Sequence, residues 1–475
     1  MKNRTLLIKN ALVLATMDGS GRHSPQSVPG ALRPDDSRRE IKGGDVYIEG
    51  PEIKKVGKGL KVKADTVIDA SGCVVMPGMV NTHHHLYQTL TRNLPKVQDA
   101  ELFDWLIYLY DIWKHVDPEA IYAGTQAGLG ELLLTGCTTS SDHLYLFPEK
   151  NSGFFIDTQI AAAREVGMRF TATRGSMSRG RSKGGLPPDS VVQKEDFILK
   201  DCERLINKFH GREKFAMTNV AMAPCSPFSV TTELLKLTAG MAKKWGVRMH
   251  THLAETKDEE AFCKKLFKMR PLEYMESVGW VEEGNAWFAH CVYINEAEAK
   301  RMGHTHTGVA HCPCSNLRLG SGIAPVPMFL RHNVPVGLGV DGSASNDSSN
   351  MLGEARQAML VHRVGTGVKS MPARTALELA TRGGAAVLGR KDIGSIEPGK
   401  AADIAVFDVS GIDFVGSQSD PLASLLFCGA SHRAKYTIVN GEVVVKNGRL
   451  AKVNERKVTE RANKAAARLY RRAGV

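Results

Sequence analysis

The 475-residue sequence has no apolar run near the ~18 residues that a membrane span requires. Its first apolar segments are short and broken by Lys9 and Asn10, which argues against a signal peptide. Aromatic residues form only 7% of the chain, against 43% hydrophobic and 24% charged residues. This composition excludes collagen-like, coiled-coil and disordered proteins. We therefore expect a globular protein without a membrane partner.

The sequence also lacks a disulfide or zinc-ribbon pattern. Its nine cysteines are scattered, and the only close pair is Cys312 and Cys314. A zinc ribbon needs a second Cys or His pair at matching spacing, and none is present. An odd number of cysteines without a secretory signal indicates reduced thiols, so we expect a cytoplasmic location.

The chain has fewer acidic residues than basic ones, 50 against 62, and its net charge is +12. Residues 452–475 carry eight basic and two acidic residues, so half of the excess lies in this tail. The tail has helical spacing but no interleaved aromatic residues, which favours a basic C-terminal surface helix and no nucleic-acid partner. An RNA-binding arm is the alternative, and salt-sensitive RNA retention would distinguish the two.

Both ends of the chain have the pattern of small antiparallel sheets. Residues 1–79 alternate short β-branched runs with turns, and residues 391–451 repeat the pattern, with a hairpin signal at Asn440-Gly441. The polar stretch 19–43 between the first runs is predicted to be a long hairpin loop. We expect the two end segments to form one composite β-sandwich domain.

The central residues 80–390 alternate strand-like and helix-like segments, and polar residues follow the strands. This alternation predicts a catalytic (β/α)8 barrel domain, so the fold class is α/β. A doubly wound sheet is the structural alternative, but no glycine-rich phosphate-binding loop follows an early strand.

Metal-ligand residue types stand at the ends of four predicted strands. The first strand ends in a segment with His83 and His85, whose spacing places both imidazoles on one face of extended chain. The others end at His252, His290 and Asp341. Active sites of such barrels lie at the carboxyl ends of the strands. Imidazoles with one carboxylate suit a divalent transition metal with an open position for water.

These segments resemble a known family. MPGMVNTHHH, HTHLAE, AHC and GVDGSASND are similar to the motifs of the amidohydrolase superfamily, in its deaminase branch. The C-terminal segments PGKAADIAVFD and VNGEVVVKNG also match that superfamily, so the resemblance covers essentially the whole chain. It implies a distorted (β/α)8 (TIM) barrel with a small β-sandwich built from both termini.

The resemblance further implies a mononuclear metal site with His83, His85, His252 and Asp341 as ligands. Binuclear members of the superfamily add a bridging lysine at the end of the fourth strand, but the matching segment FAMTNVAMAPCSPF has none. Zinc is the expected metal, with Fe²⁺ as the alternative.

Three residues are expected to act in the reaction. A divalent ion lowers the pKa of a bound water towards ~7, and the resulting hydroxide attacks a ring carbon that carries an amino group. Glu255, three residues after His252, is positioned to protonate the ring nitrogen, and Asp341 is expected to accept a proton. His290 is expected to hold the hydroxide or the developing oxyanion.

Five further residues are predicted to contact the substrate. Gln88 follows His85 closely enough to reach a ring carbonyl or amide edge, and Trp113 could stack on a flat heterocycle. Tyr145 and Arg174 lie near predicted strand ends and suit a carbonyl-rich substrate. Cys225 occupies the fourth-strand segment APCSP, where adenosine-type deaminases resemble GPHSP and guanine deaminases resemble PRF. This difference argues against adenosine derivatives and guanine as substrates.

Within the branch, the segments APCSPFSV, HCPCSN and SASNDSSNMLGEARQA are most similar to the 8-oxoguanine deaminases, with the s-triazine hydrolases close. The resemblance implies deamination of 8-oxoguanine to urate and ammonia. An s-triazine amino- or chloro-hydrolase is the alternative. All four ligand positions and Glu255 are present, which argues against an inactive scaffold. We expect a homo-oligomer, in the form of a dimer.

Overall fold

The structure is a computed structural model that describes residues 4–19, 39–149, 153–282, 284–428 and 432–475. Most of the hairpin loop predicted at 19–43 lies outside the described residues. Within the described ranges, no helix is long and apolar enough to cross a membrane.

The strands fall into three groups along the chain. The N-terminal strands are β1 (Thr5–Ala11), β2 (Val13–Ala15), β3 (Glu40–Ile41), β4 (Gly44–Glu49), β5 (Glu52–Lys58), β6 (Thr66–Asp69) and β7 (Cys73–Pro77). The central strands are β8 (Met79–Asn81), β9 (His84–His85), β10 (Cys137–Ser141), β11 (Arg169–Ser176), β12 (Thr218–Pro224), β13 (Met249–Leu253), β14 (Ala286–His290), β15 (Gly308–His311), β16 (Val336–Leu338) and β17 (Asp341–Gly342). The C-terminal strands are β18 (Ile404–Asp408), β19 (Tyr436–Val439), β20 (Glu442–Lys446) and β21 (Arg449–Leu450).

Most α-helices lie between the central strands. In chain order they are α1 (Leu102–Trp113), α2 (Pro118–Leu134), α3 (Phe155–Val166), α4 (Glu195–Phe209), α5 (Thr232–Trp245), α6 (Lys257–Phe267), α7 (Pro271–Ser277), α8 (Glu296–His304), α9 (Pro313–Arg318), α10 (Val326–Arg331), α11 (Met351–Thr366), α12 (Ala373–Glu378), α13 (Gly384–Val387), α14 (Pro421–Phe427) and α15 (Glu455–Ala473). The helix-like segments predicted between the central strands are present, for example as α2, α3, α5 and α8.

The central strands form a parallel barrel. Eight of them pair in the order β16-β15-β14-β13-β12-β11-β10-β8. The ring is closed by the Thr82 N–H, which donates to Leu338 O at 2.9 Å, and by the parallel pairing of β17 with β9. This arrangement confirms the predicted α/β fold class with its (β/α)8 barrel. The carboxyl ends of the strands converge at one face, where the predicted ligand residues lie.

Strands from both ends of the chain form the sandwich. One sheet has the order β5-β4-β1-β6 and the other β21-β20-β19-β18-β7-β2-β3, so β18 pairs directly with β7. Apolar side chains of both sheets share one core, for example Ile8, Ile48, Val75 and Ile404. The composite sandwich predicted from the sequence is thereby confirmed, whereas its division from the barrel at residues 79 and 391 stays a prediction.

The basic C-terminal segment forms α15, whose apolar face is buried. Val458, Ala462, Ala465 and Leu469 lie on that face, and the helix packs against α2 and α1. Its Tyr470 hydroxyl donates to Leu90 O at 2.8 Å. The helix therefore reaches the 3₁₀ segment Leu86–Thr91, which directly follows the first two candidate ligands.

Candidate active site

The four predicted ligand side chains meet at the carboxyl face of the barrel. His83 and His85 come from the end of the first barrel strand, His252 from β13 and Asp341 from β17. The Nε2 atoms of His83 and His85 each lie 3.3 Å from Asp341 Oδ1. His85 Nε2 and His252 Nε2 are 3.0 Å apart. Their ligand atoms thus point at one small volume.

The chemistry of this donor set fits a divalent cation. His83 Nε2 is buried and has no hydrogen-bond partner among the described residues, although it faces the Asp341 carboxylate. Two overlapping sets of ligand atoms each lie within 4.8 Å of one another: His83, His252, His290 and Asp341, and His83, His85, His143 and His252. Nitrogen and carboxylate donors at this spacing suit a transition metal such as zinc.

Each histidine ligand has its second ring nitrogen fixed by a neighbour. Nδ1 of His85 lies 2.7 Å from the carbonyl oxygen of His143, and Nδ1 of His252 lies 2.6 Å from that of Cys225. Nδ1 of His83 contacts Nε2 of His250 at 2.7 Å. Such contacts orient the rings so that Nε2 faces the metal position.

Asp341 is held by hydroxyl groups that no motif of the sequence indicated. Ser315 Oγ donates to Asp341 Oδ2 at 2.5 Å, and Ser345 Oγ reaches the same oxygen at 3.2 Å. The Gly342 N–H lies 2.7 Å from Oδ1. Asp341 itself has φ of +64°, a conformation that side-chain-bearing residues rarely adopt. Both serines lie in the quoted segments HCPCSN and SASND, but nothing in their spacing pointed to Asp341.

Burial sets the protonation states of the cluster. It lowers the pKa of His83 well below its usual range, and burial together with His85 lowers that of His252 to about 3. Burial opposes ionisation of Asp341, but the neighbouring imidazoles of His83 and His85 outweigh it and hold its pKa well below the usual range. Neutral imidazoles and an ionised carboxylate are the forms that bind cations.

Glu255 and His290 lie beside this cluster. Glu255 Oε2 is 3.5 Å from His290 Nε2, and His290 Nδ1 is 2.8 Å from Asn316 Oδ1. The backbone N–H of Glu255 donates to the Glu259 carboxylate at 3.0 Å, which fixes the turn after β13. Burial, followed by the charge of Asp341, raises the pKa of Glu255 to about 8. A carboxyl group in this state can hold a proton at neutral pH.

A pocket opens onto the cluster. Its lining residues are His85, Gln88, Leu102, Trp105, Leu106, Tyr110, Tyr145, Cys225, Phe228, His252, Glu255, His290, Leu319, Asp341 and Ser345. Three of the five predicted substrate residues are therefore in the wall, namely Gln88, Tyr145 and Cys225. The wall combines apolar side chains with a small number of polar groups, as in other small-molecule sites.

Trp113 is not in the wall, and its predicted stacking on the substrate is corrected by the structure. Its side chain is fully buried in the core, and its Nε1–H donates to Thr91 Oγ1 at 3.1 Å. Trp105 and Tyr110, on the same helix α1, line the pocket instead. The apolar spacing of α1 indicated an inward face, but the sequence did not show which aromatic residue would face the pocket.

Arg174 is also turned away from the wall. Its Nε–H donates to Asp201 at 2.6 Å, one Nη donates to Gln193 at 2.8 Å, and its guanidinium stacks on the Phe147 ring at 3.9 Å. The side chain is buried, and these partners occupy its donors. Arg174 therefore packs the outside of strand β11 rather than contacting a ligand.

The chain resembles known proteins over most of its length. Residues 74–444 match a protein-family model described as the amidohydrolase family. An 8-oxoguanine deaminase from Pseudomonas aeruginosa is 48% identical over 408 residues, which cover 86% of this chain and 90% of that protein. A hydroxydechloroatrazine ethylaminohydrolase from Pseudomonas sp. strain ADP is 34% identical over 89% of each chain.

A solved structure has the same architecture. Atrazine chlorohydrolase from Arthrobacter aurescens TC1, complexed with zinc, superposes with a TM-score of 0.89 and 34% identity, covering 97% of this chain and 100% of that one. The family match spans the first ligand strand, the barrel, and the C-terminal strands of the sandwich as far as the middle of β20. On these grounds the chain belongs to the amidohydrolase family.

Proposed function

We propose that this chain is an aminohydrolase that converts 8-oxoguanine and water to urate and ammonia. The observation that carries the proposal is its 48% identity to an 8-oxoguanine deaminase, over 90% of that protein's length. The site supports the same chemistry, because three of the four candidate ligand side chains, His85, His252 and Asp341, line one small pocket together with the protonatable carboxyl group of Glu255.

His83, His85, His252 and Asp341 would hold one divalent cation, with zinc as the proposed metal. When bound, the cation supplies Lewis-acid activation of water. Zinc accompanies the structural relative from Arthrobacter aurescens, and the nitrogen-rich donor set suits it. No lysine is present in β12 (TNVAMAP), and this supports a single metal rather than a lysine-bridged pair.

Glu255 is proposed to donate a proton to the ring nitrogen next to the reacting carbon. Glu255 lines the pocket next to His290, and it follows His252 by three residues. Its carboxyl group is therefore close both to the metal site and to a molecule bound in the pocket. Asp341 is proposed to take up a proton released as water adds. His290 is proposed to stabilise oxygen charge on the reacting carbon. Transfer of that proton from Asp341 to the amino group lets ammonia leave. The added oxygen becomes a new ring carbonyl as its remaining proton passes to Glu255.

Gln88, Tyr145 and Cys225 are proposed to orient the heterocycle. All three line the pocket, and the buried Gln88 Oε1 has no hydrogen-bond partner among the described residues. An amide oxygen in that position can accept a hydrogen bond from a ring N–H. Cys225 follows β12 directly, and its thiol is kept neutral because burial raises its pKa to about 12.

An s-triazine hydrolase is the second candidate, supported by the relatives at 34% identity that act on triazines. The purified zinc-loaded chain separates the two when incubated with 8-oxoguanine, a hydroxylated alkylamino-triazine and a chloro-triazine. Urate and ammonia from the first substrate support the proposal. Alkylamine or chloride from the triazines, with 8-oxoguanine untouched, would replace it with the second candidate.

We also propose a cytoplasmic enzyme without a nucleic-acid partner. The nine cysteines form no disulfide, as expected of a reducing compartment. Three arginines of α15 are paired with acidic residues at the start of α2: Arg461 with Glu119, and Arg468 and Arg472 with Asp117. These ion pairs connect the basic helix to α2 within the fold. The expected dimer stays a prediction, which size-exclusion chromatography with light scattering tests.

A further inference from the structure

Helix α1 brings two polar atoms to the pocket region without partners. Trp105 Nε1 and the Tyr110 hydroxyl are buried, and neither has a hydrogen-bond partner within the described part of the chain. Both residues line the pocket. Their neighbour on the helix, Leu106, also lines it and offers no polar group.

Leaving such atoms unpaired is costly. A buried donor or acceptor without a partner loses its hydrogen bonds to water and gains none in return, so most buried polar groups in proteins are paired. The neighbouring wall residues Leu102, Phe228 and Leu319 are apolar and provide no alternative partners. The Tyr145 side chain lies near the Tyr110 hydroxyl without forming a hydrogen bond of regular geometry with it. Two unpaired groups on one wall of a ligand pocket therefore indicate a ligand that supplies the missing partners.

The chemistry of the two groups specifies that ligand. The indole N–H of Trp105 can only donate a hydrogen bond, and a tyrosine hydroxyl can donate or accept one. A ligand that satisfies Trp105 must present an acceptor to α1. Flat oxo-heterocycles offer ring carbonyl oxygens, whereas most of their ring nitrogens carry a hydrogen and cannot accept. Elsewhere in the lining, the unpaired Gln88 Oε1 calls for an N–H group.

We infer that Trp105 and Tyr110 are specificity-determining residues that donate hydrogen bonds to a ring carbonyl of the substrate. The inference rests on the proposed function, because it assigns this wall to the non-reacting side of an oxo-substituted amino-heterocycle. The two hydrogen bonds would also select between substrates. When an analogue without the ring carbonyl binds, both buried donors stay unpaired, and the analogue binds more weakly.

The test compares Trp105→Phe and Tyr110→Phe with Tyr108→Phe in zinc-loaded enzyme. Tyr108 lies on the same helix, is only half-buried and does not line the pocket, so it is a matched control. Calorimetry measures binding of urate, which is rich in ring carbonyls, and of purine, which has none. Turnover of 8-oxoguanine gives KM and kcat separately.

We expect each pocket variant to weaken urate binding and to raise KM about 10-fold, with little change in purine binding or in kcat. The control should match the wild type. Equal losses for both ligands, or no loss, would overturn the inference. If one pocket variant has a much lower melting temperature than the wild type, the binding and kinetic measurements on the other pocket variant test the inference.

The design separates this inference from the proposed function. If the wild type binds urate but does not deaminate 8-oxoguanine, the proposed reaction fails, while the selective loss of urate binding would still support the two donors. If the wild type deaminates 8-oxoguanine and both variants behave like it, the inference alone is overturned.

Discussion

Nε2 of His250 lies 2.7 Å from Nδ1 of His83, and this contact determines which nitrogen of His83 is free for a metal. His250 Nδ1 faces the carbonyl oxygen of Trp287 at 2.9 Å. A carbonyl only accepts, so Nδ1 of His250 carries the proton and Nε2 accepts one from His83. Nε2 of His83 is then left with its lone pair. His250 therefore acts as a positioning residue beneath the ligands.

His250→Phe should weaken zinc binding about 10- to 100-fold, because the proton on His83 Nδ1 loses its acceptor. Competition against a chromophoric chelator measures the affinity. His362→Phe is the control, since His362 is another buried imidazole whose Nε2 contacts a histidine, His311, at 3.2 Å. Zinc affinity that falls equally in both variants would show a general loss of stability rather than a role for His250.

Glu255→Gln should lower kcat by about 10²–10⁴-fold and leave zinc content unchanged. The amide keeps the size of the side chain but cannot transfer the proton. Steady-state kinetics and elemental analysis of the same preparation provide the two readouts. Turnover near that of the wild type would remove Glu255 from the proton transfer.

His252→Ala should abolish stoichiometric zinc binding, because it removes one of three imidazole ligands from a buried site. Metal at about 1,000 times its dissociation constant stabilises a fold by about 4 kcal/mol. A chelator should therefore lower the melting temperature of the wild type but not that of the variant. His304→Ala, at an exposed position on α8, should keep the chelator response of the wild type.

Gly342→Ala should raise KM through Gln88. A Cβ added at this glycine would lie only 1.8 Å from Gln88 Oε1, so the Gln88 side chain must move out of its present position. Gly240→Ala is the control, because a Cβ there meets nothing within 4 Å. Zinc content must stay at one equivalent, since Gly342 adjoins Asp341. Combining Gly342→Ala with Gln88→Ala should add little to the loss from Gln88→Ala alone.

Arg169→Met should destabilise the fold by about 3–5 kcal/mol, because Asp403 would become a buried charge without its partner. The Arg169 guanidinium donates to both Asp403 oxygens at 2.8 and 2.9 Å and links the start of β11 to the sandwich. Urea unfolding measures the change. Arg204→Met removes a more exposed pair with Asp157 and should cost under about 1 kcal/mol.

The sequence was sufficient to predict the architecture and to select four residues whose side chains the structure brings together, whereas their role as metal ligands stays a prediction. Alternation of strands and helices predicted the barrel, and the i, i+2 spacing of His83 and His85 placed two ligands on one face. The Asn440-Gly441 turn was also predicted, and both residues have positive φ between β19 and β20. These features depend on short-range patterns, which a single sequence displays directly.

The substrate wall and the second layer of contacts could not be predicted in the same way. Trp105 and Trp113 are both buried on the inward side of α1, and only the packing of the helix against the barrel decides which one faces the pocket. Ser315 lies 26 positions from Asp341 in the sequence, and Ser345 lies 4 positions from it. No periodic pattern in the sequence indicates that either hydroxyl contacts this carboxylate.

The pairing of β7 with β18 has a consequence for folding during translation. Pro77 and Ile404 are partners separated by 327 positions (404 minus 77), and β7 leads directly into the strand that ends at the first two candidate ligands. During translation this strand leaves the ribosome long before its neighbour is made. We expect the nascent chain to expose the apolar edge of β7 until synthesis is nearly complete. The four proposed ligands span His83 to Asp341, so we expect metal loading only after Asp341 has been synthesised.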